Sequence, residues 1–245
     1  MEVSDDYVSV YTRDVELDPA KTCLVAVDLM YATGTRENGL GKLLEEAGRA
    51  DEAEYRFTRI EELVVPNTVR LLEWAREHGM RRVFLTYGSE VSDYSDLSPQ
   101  MYELCRSTNN RVGEREHEIL EQLKPEPDER VINKITPSGF TSSPIELILR
   151  TYGVEDLLFT GVSTNMCVEA TMRDAADRGF GCVLVDDACG ADSAAYHEAA
   201  CRVLRRLYGH IMSTDEVLET LEGGGRSIPR GSSSNTNADR SDRDA

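Results

Sequence analysis

The run TCLVAV at Thr22–Val27 carries no charge and stops abruptly at Asp28. A run this short and this apolar fits a strand covered on both faces, as in a parallel sheet flanked by helices. The pattern recurs. Short apolar runs at residues 82–85, 131–132, 157–160, 182–185 and 210–212 alternate with helical periodicity at 67–78, 144–152, 165–178, 194–207 and 215–221. This alternation predicts an α/β fold on a parallel sheet, each strand trailed by a helix or loop. Residues 67–78 follow Pro66 and set Val69, Leu72, Ala75 and Arg76 on one stripe, closed by Gly79; Gly153 and Gly179 close later helices.

Two stretches break the rhythm. Residues 31–59, with a helical piece near 43–47, and residues 88–115 are longer than plain strand-to-helix loops. Insertions at the carboxyl ends of parallel strands are where α/β enzymes build pockets. From Gly223 the chain turns rich in Gly, Ser, Asn and Asp, which predicts a disordered tail over 223–245 behind one domain at 1–222.

Charge excludes some partners. The 45 acidic residues outnumber 27 basic ones, a net charge of -18 that repels nucleic acid and anionic membranes. No stretch approaches the roughly 20 apolar residues of a membrane span, and the first residues do not form a signal segment. The expected compartment is the cytoplasm. Lys21, Lys42, Lys124 and Lys134 are the lysines, and every other basic residue is arginine. Two explanations fit that bias: a high-salt cytoplasm or a GC-rich genome. The 6 cysteines show no CxxC pair and are expected as reduced thiols, Cys23 and Cys182 being inert within strand-like runs.

Cys167 has a different setting. In LLFTGVSTNMCVEATMRDAADR (157–178) an apolar strand meets Gly161, then a polar turn, then a helix whose first turn holds the thiol. Unpaired N–H groups and the helix dipole there favour a thiolate and could hold an oxyanion. A packed cysteine at a strand–helix junction is the competing account. Asp28 ends the first strand and Lys134 follows the short strand at 131–132. Each alone reads as a turn or loop residue. In an open parallel sheet, however, neighbouring carboxyl ends face one crevice, where acid, base and thiol would meet.

These segments carry a resemblance. VDLM with Asp28, NKITPSGF with Lys134, and GVSTNMCVEATMRDAADRGF with Cys167 resemble three motifs of the isochorismatase-like cysteine hydrolases, in order and spacing, from about residue 21 to 221. The stretch TMRDAADRGFGCVLVDDACGA with His197 is most similar to members acting on ureido compounds, such as biuret hydrolase; N-carbamoylsarcosine amidase is a further relative. The resemblance implies a Rossmann-like three-layer sandwich with a six-stranded parallel sheet and helices on both faces, assembled as a homodimer or homotetramer. It implies Asp28 as base, Lys134 as stabilising cation and Cys167 as nucleophile on a small amide or ureide, through a thioester and without cofactor or metal. It further implies a non-proline cis peptide at Val162–Ser163 and an oxyanion hole from the N–H groups of Met166 and Cys167.

Departures limit the transfer. Many relatives continue the first motif with Gln-Asn-Asp-Phe, where this chain has Met30-Tyr31-Ala32-Thr33. Nicotinamidases bind metal through an Asp and two His, yet no histidine lies between residues 79 and 116 here, and no metal-ligand spacing is visible. Isochorismatase proper lacks the thiol. Tyr31, Phe140, Thr164 and Asn165 flank the three catalytic candidates and could reach substrate, as could Glu90 at the rim; packing explains each as well. Arg106 and Arg111 could meet a substrate carboxylate or simply be surface residues. His197 reads as a structural helix residue. The alternatives to linear amide or ureide cleavage are hydrolysis of another carbonyl C–N bond, such as a lactam, and a non-catalytic binding protein.

Overall fold

The TCLVAV run is a strand, buried along its whole length. The computed structural model describes residues 8–224 and 227–229. In chain order the strands are β1 (Val15–Glu16), β2 (Thr22–Val27), β3 (Arg81–Tyr87), β4 (Arg130–Lys134), β5 (Asp156–Val162), β6 (Gly181–Gly190), β7 (His210–Met212) and β8 (Ser227–Ile228). Among them, β2 to β7 form one 6-stranded sheet in the order β4-β3-β2-β5-β6-β7. Every pairing in it is parallel.

Two apolar layers explain the unbroken runs. Along β2, Leu24 and Ala26 join one layer, while Cys23, Val25 and Val27 join the other. The first layer is completed by Leu71, Leu72 and Ala75 of helix Val65–Glu77 and by Val217 and Leu221 of helix Thr214–Glu222. The second takes Ile145 and Leu149 of Ile145–Thr151, Met172 and Ala175 of Glu169–Asp177, and Leu204 of Ala194–Leu204. A buried Leu, Val or Phe contributes about 1.5–3 kcal/mol, so a one-residue slip of β2 would sacrifice contacts on both faces.

From β2 the chain steps outward to β3 and β4, then returns to the other side of β2 as β5. This reversal places a topological switch point between β2 and β5, and a crevice opens at their carboxyl ends.

Some elements differ from the sequence expectation. Helical structure begins upstream of Pro66, at Glu54–Arg59, and runs through a π turn at Ile60–Val64 into Val65–Glu77. The wide turn accommodates a proline that has no N–H to donate. The second excursion contains a helix, Pro99–Ser107, whose buried face is only Met101 and Cys105, too short a stripe to read from sequence. Within the tail expected to be disordered, Ser227–Ile228 pairs antiparallel with Val15–Glu16, and Ile228 packs on the first layer. The rest of that tail call, residues 225, 226 and 230–245, lies outside the described residues. Among the described residues no helix is long and apolar enough to cross a membrane.

Candidate active site

Asp28 closes β2 with φ +55, a left-handed conformation that Asp tolerates better than most residues. Its N–H donates to Leu85 O of β3 at 2.9 Å. Lys134, the last residue of β4, is fully buried. A charge there requires a partner, and Lys134 Nζ donates to Asp28 Oδ2 at 2.8 Å. β3 lies between the two strands, and Tyr87, in register with Lys134, holds its ring centroid 5.1 Å from Nζ.

Cys167 sits in a one-turn π segment, Thr164–Val168, that leads into helix Glu169–Asp177. The Val162–Ser163 peptide just before it is cis. Gly161 brings β5 against β2: its φ is +117, and a Cβ there would stand 2.0 Å from Val27 O. Only glycine permits that approach.

The fold thus brings Asp28, Lys134 and Cys167 together, with the thiol interacting with both charged groups. Asp28 Oδ1 has no hydrogen-bond partner among the described residues. Burial raises the Asp28 carboxyl above its usual range, against the pull of Lys134 and Cys167. Burial also opposes the Lys134 charge, but Asp28 and Cys167 outweigh it and hold the ammonium above its usual range. The Cys167 thiol is pushed up to about 12, by burial first and the Asp28 charge second. Burial thus opposes the thiolate that the helix start favours. Among the described residues, Asp28 and Lys134 are the charged groups that act on the thiol.

The other expected site residues are placed differently. Met166 N–H, expected in the oxyanion hole, donates to Ser163 O at 3.0 Å and is engaged within the turn. Tyr31 is turned away: its hydroxyl accepts from Glu121 N at 3.3 Å, and its ring lies 3.7 Å from the Arg115 guanidinium. Glu90 is exposed, its carboxylate accepting from Asn133 Nδ2 at 3.2 Å. Phe140 is buried against Phe180, ring centroids 5.9 Å apart. Thr164 Oγ1 is hydrogen-bonded to His197 Nδ1 at 2.9 Å. Of the expected substrate-binding residues, Tyr31, Glu90, Phe140, Thr164 and Asn165 do not line the cavity over Cys167.

That cavity encloses about 590 Å³. Beside Asp28, Ser163 and Cys167 it is bordered by Arg56 and Asp192, neither of which sequence reasoning singled out. Arg56 is buried, its Nε donating to Thr33 O at 3.1 Å and its Nη1 to Ser163 Oγ at 2.7 Å and Asp192 Oδ1 at 2.9 Å. It comes from the first excursion, where no motif marks it.

The fold also gathers three ligand-type side chains that the sequence leaves scattered. The ligand atoms of Asp186, His197 and Cys201 lie within 4.8 Å of one another. Arg59 Nη2 is 3.0 Å from His197 Nε2, setting a fixed positive charge against any cation there. Bonded to Thr164 on one side and Asp186 at 2.9 Å on the other, His197 braces the turn that carries Cys167.

The pattern of the isochorismatase domain matches residues 58–216. The chain belongs to the isochorismatase family. It is therefore an enzyme, a hydrolase of that family. Ureidoacrylate amidohydrolase RutB of Methylorubrum extorquens is 31% identical over 213 residues, spanning 80% of this chain and 81% of that protein. RutB of Serratia proteamaculans is 27% identical over 218 residues, 83% of this chain and 84% of its own. Among solved structures, a cysteine hydrolase from Pseudomonas syringae pv. phaseolicola superposes with a TM-score of 0.71 at 22% identity, covering 85% of this chain and 95% of that one. N-carbamoylsarcosine amidase from Thermoplasma acidophilum gives 0.58 at 21% identity, with 80% and 97% coverage. At these identities the structural matches establish the fold.

Proposed function

We propose that this family member is a cysteine amidohydrolase that cleaves a linear amide or ureido C–N bond of a small molecule through a thioester on Cys167. The observation that carries the proposal is the buried Lys134–Asp28 contact of 2.8 Å, with the Cys167 thiol interacting with both groups. The amidohydrolase names of its relatives support the same bond class.

In the proposed reaction the thiol proton passes to Asp28 as sulfur attacks the substrate carbonyl. General-base assistance of this kind contributes about 10²–10⁴-fold. Lys134, held beside the sulfur, offsets the negative charge as it forms, and the Cys167 N–H is the backbone donor assigned to the oxyanion. Collapse breaks the C–N bond. The departing nitrogen takes the proton from Asp28 and leaves as ammonia or an amine, and a thioester remains. Water then adds to the thioester carbonyl and gives its proton to Asp28; the acid leaves, and that proton returns to sulfur. Biuret and triuret are candidate substrates, with ureidoacrylate and N-carbamoylsarcosine, and a homodimer or homotetramer in the cytoplasm is the proposed assembly.

Ammonia release from that panel tests the proposal. Turnover of at least one compound, lost in Cys167→Ala, is expected. Undiminished turnover by Cys167→Ala would rule it out.

A further inference from the structure

The walls of the cavity are more apolar than a small polar ureide needs. Its ionic groups are already matched, Asp28 with Lys134 at 2.8 Å and Arg56 with Asp192 at 2.9 Å. Beyond them the lining is mainly hydrocarbon, from Leu40, Met101, Leu104, Pro137 and Ala170 with the exposed Met166, and Thr33, Gln100 and Ser163 are its polar members. Met101 and Leu104 stand three residues apart on helix Pro99–Ser107, so they present one face. Met166, adjoining the nucleophile, is 53% exposed, and a methionine so placed can fit itself to an apolar ligand. Pockets of about 300–1,000 Å³ bury drug-sized ligands, and the 590 Å³ here falls within that range. A biuret-sized molecule would leave much of the apolar wall wet.

We infer that the substrate is an uncharged amide or ureide with an apolar body of several carbons, its carbonyl at Cys167 and its hydrocarbon on Met101, Leu104 and the facing Leu40 and Pro137. The inference rests on the amidohydrolase function proposed above and narrows its substrate class. The driving force is the removal of both apolar surfaces from water. The helix carrying Met101 and Leu104 then sets specificity, while the strand ends carry the chemistry.

The test is kcat/KM for ammonia release along acetamide, butanamide, hexanamide and octanamide, beside biuret and ureidoacrylate. Each buried methylene is expected to raise kcat/KM about fourfold, up to hexanamide at least, which then exceeds biuret and ureidoacrylate. In Leu104→Gln and Met101→Gln the hexanamide-to-acetamide ratio is expected to fall about tenfold. A flat chain-length dependence, or biuret or ureidoacrylate as the best substrate, overturns the apolar-body inference and leaves the amidohydrolase function standing. Absence of Cys167-dependent ammonia release from every compound overturns both. Equal losses on all substrates in the two variants, or a changed oligomeric state, overturn the assignment of that wall to substrate. Should the variants fail to fold, the series on the unaltered protein decides alone.

Discussion

Asp28 and Lys134 are buried together at 1% and 0% exposure, and neither charge is tolerable in the interior without the other. Removing one partner is costlier than removing both. Lys134→Met is expected to abolish measurable turnover and to lower stability by about 3–5 kcal/mol in urea unfolding, because it strands the carboxylate. The double variant Asp28→Asn/Lys134→Met should recover most of that stability and none of the activity. The direction of the Asp28 shift also sets the acid limb of the rate profile. Burial holds its folded-state pKa above 3.8, and the base exists only in the ionised form, so kcat/KM should climb as pH rises through a midpoint above that value. A midpoint at the ordinary carboxylate value, read from a pH–rate profile, would contradict this.

At the scale of elements, β5 positions the Cys167 turn. Gly161→Ala meets Val27 O and forces a side chain into φ +117, so a loss of about 1–3 kcal/mol from backbone strain alone is expected in urea unfolding. Activity per folded molecule should fall with it, since the Cys167 turn is displaced from Asp28. The strands were the most legible part of the sequence: β2 and β7 have the bounds that apolar runs predict. Both runs are free of Asp, Glu, Lys and Arg, and their polar members Thr22 and His210 are themselves buried. The helix ahead of Pro66 was not legible, because a proline reads as a helix start unless a π turn takes it in. Nor was the strand at Ser227–Ile228, whose one partner, Val15–Glu16, lies at the other end of the chain.

Across the whole molecule, the proposed catalytic groups gather at the carboxyl end of the sheet, and the amino end holds none of them. At the latter, Asp156 opens β5 and is 4% exposed. Burial raises its carboxyl to about 6, with Arg13 at 4.0 Å offsetting only part. A folded-state pKa raised above the unfolded value near ~3.9 means its stabilising contribution is complete below that value and is lost as pH rises through about 6. The stability of the unaltered protein relative to Asp156→Asn should therefore decline over that window, measured by parallel urea melts. The candidate triad was legible at this scale because parallel strand ends converge whatever their spacing in sequence. The cavity wall and the Arg56–Ser163 contact were not, since they join residues from excursions whose path depends on packing rather than on any local pattern.

The central claim is that Cys167 forms a covalent bond to the substrate carbonyl. Acid quenching during turnover, followed by peptide mapping by mass spectrometry, tests it most directly. The expected result is a transient acyl adduct on the peptide containing Cys167, absent from Cys167→Ser and longer-lived when water attack is slowed. Turnover with no adduct on Cys167, or with an adduct on another of the 6 cysteines, would contradict it.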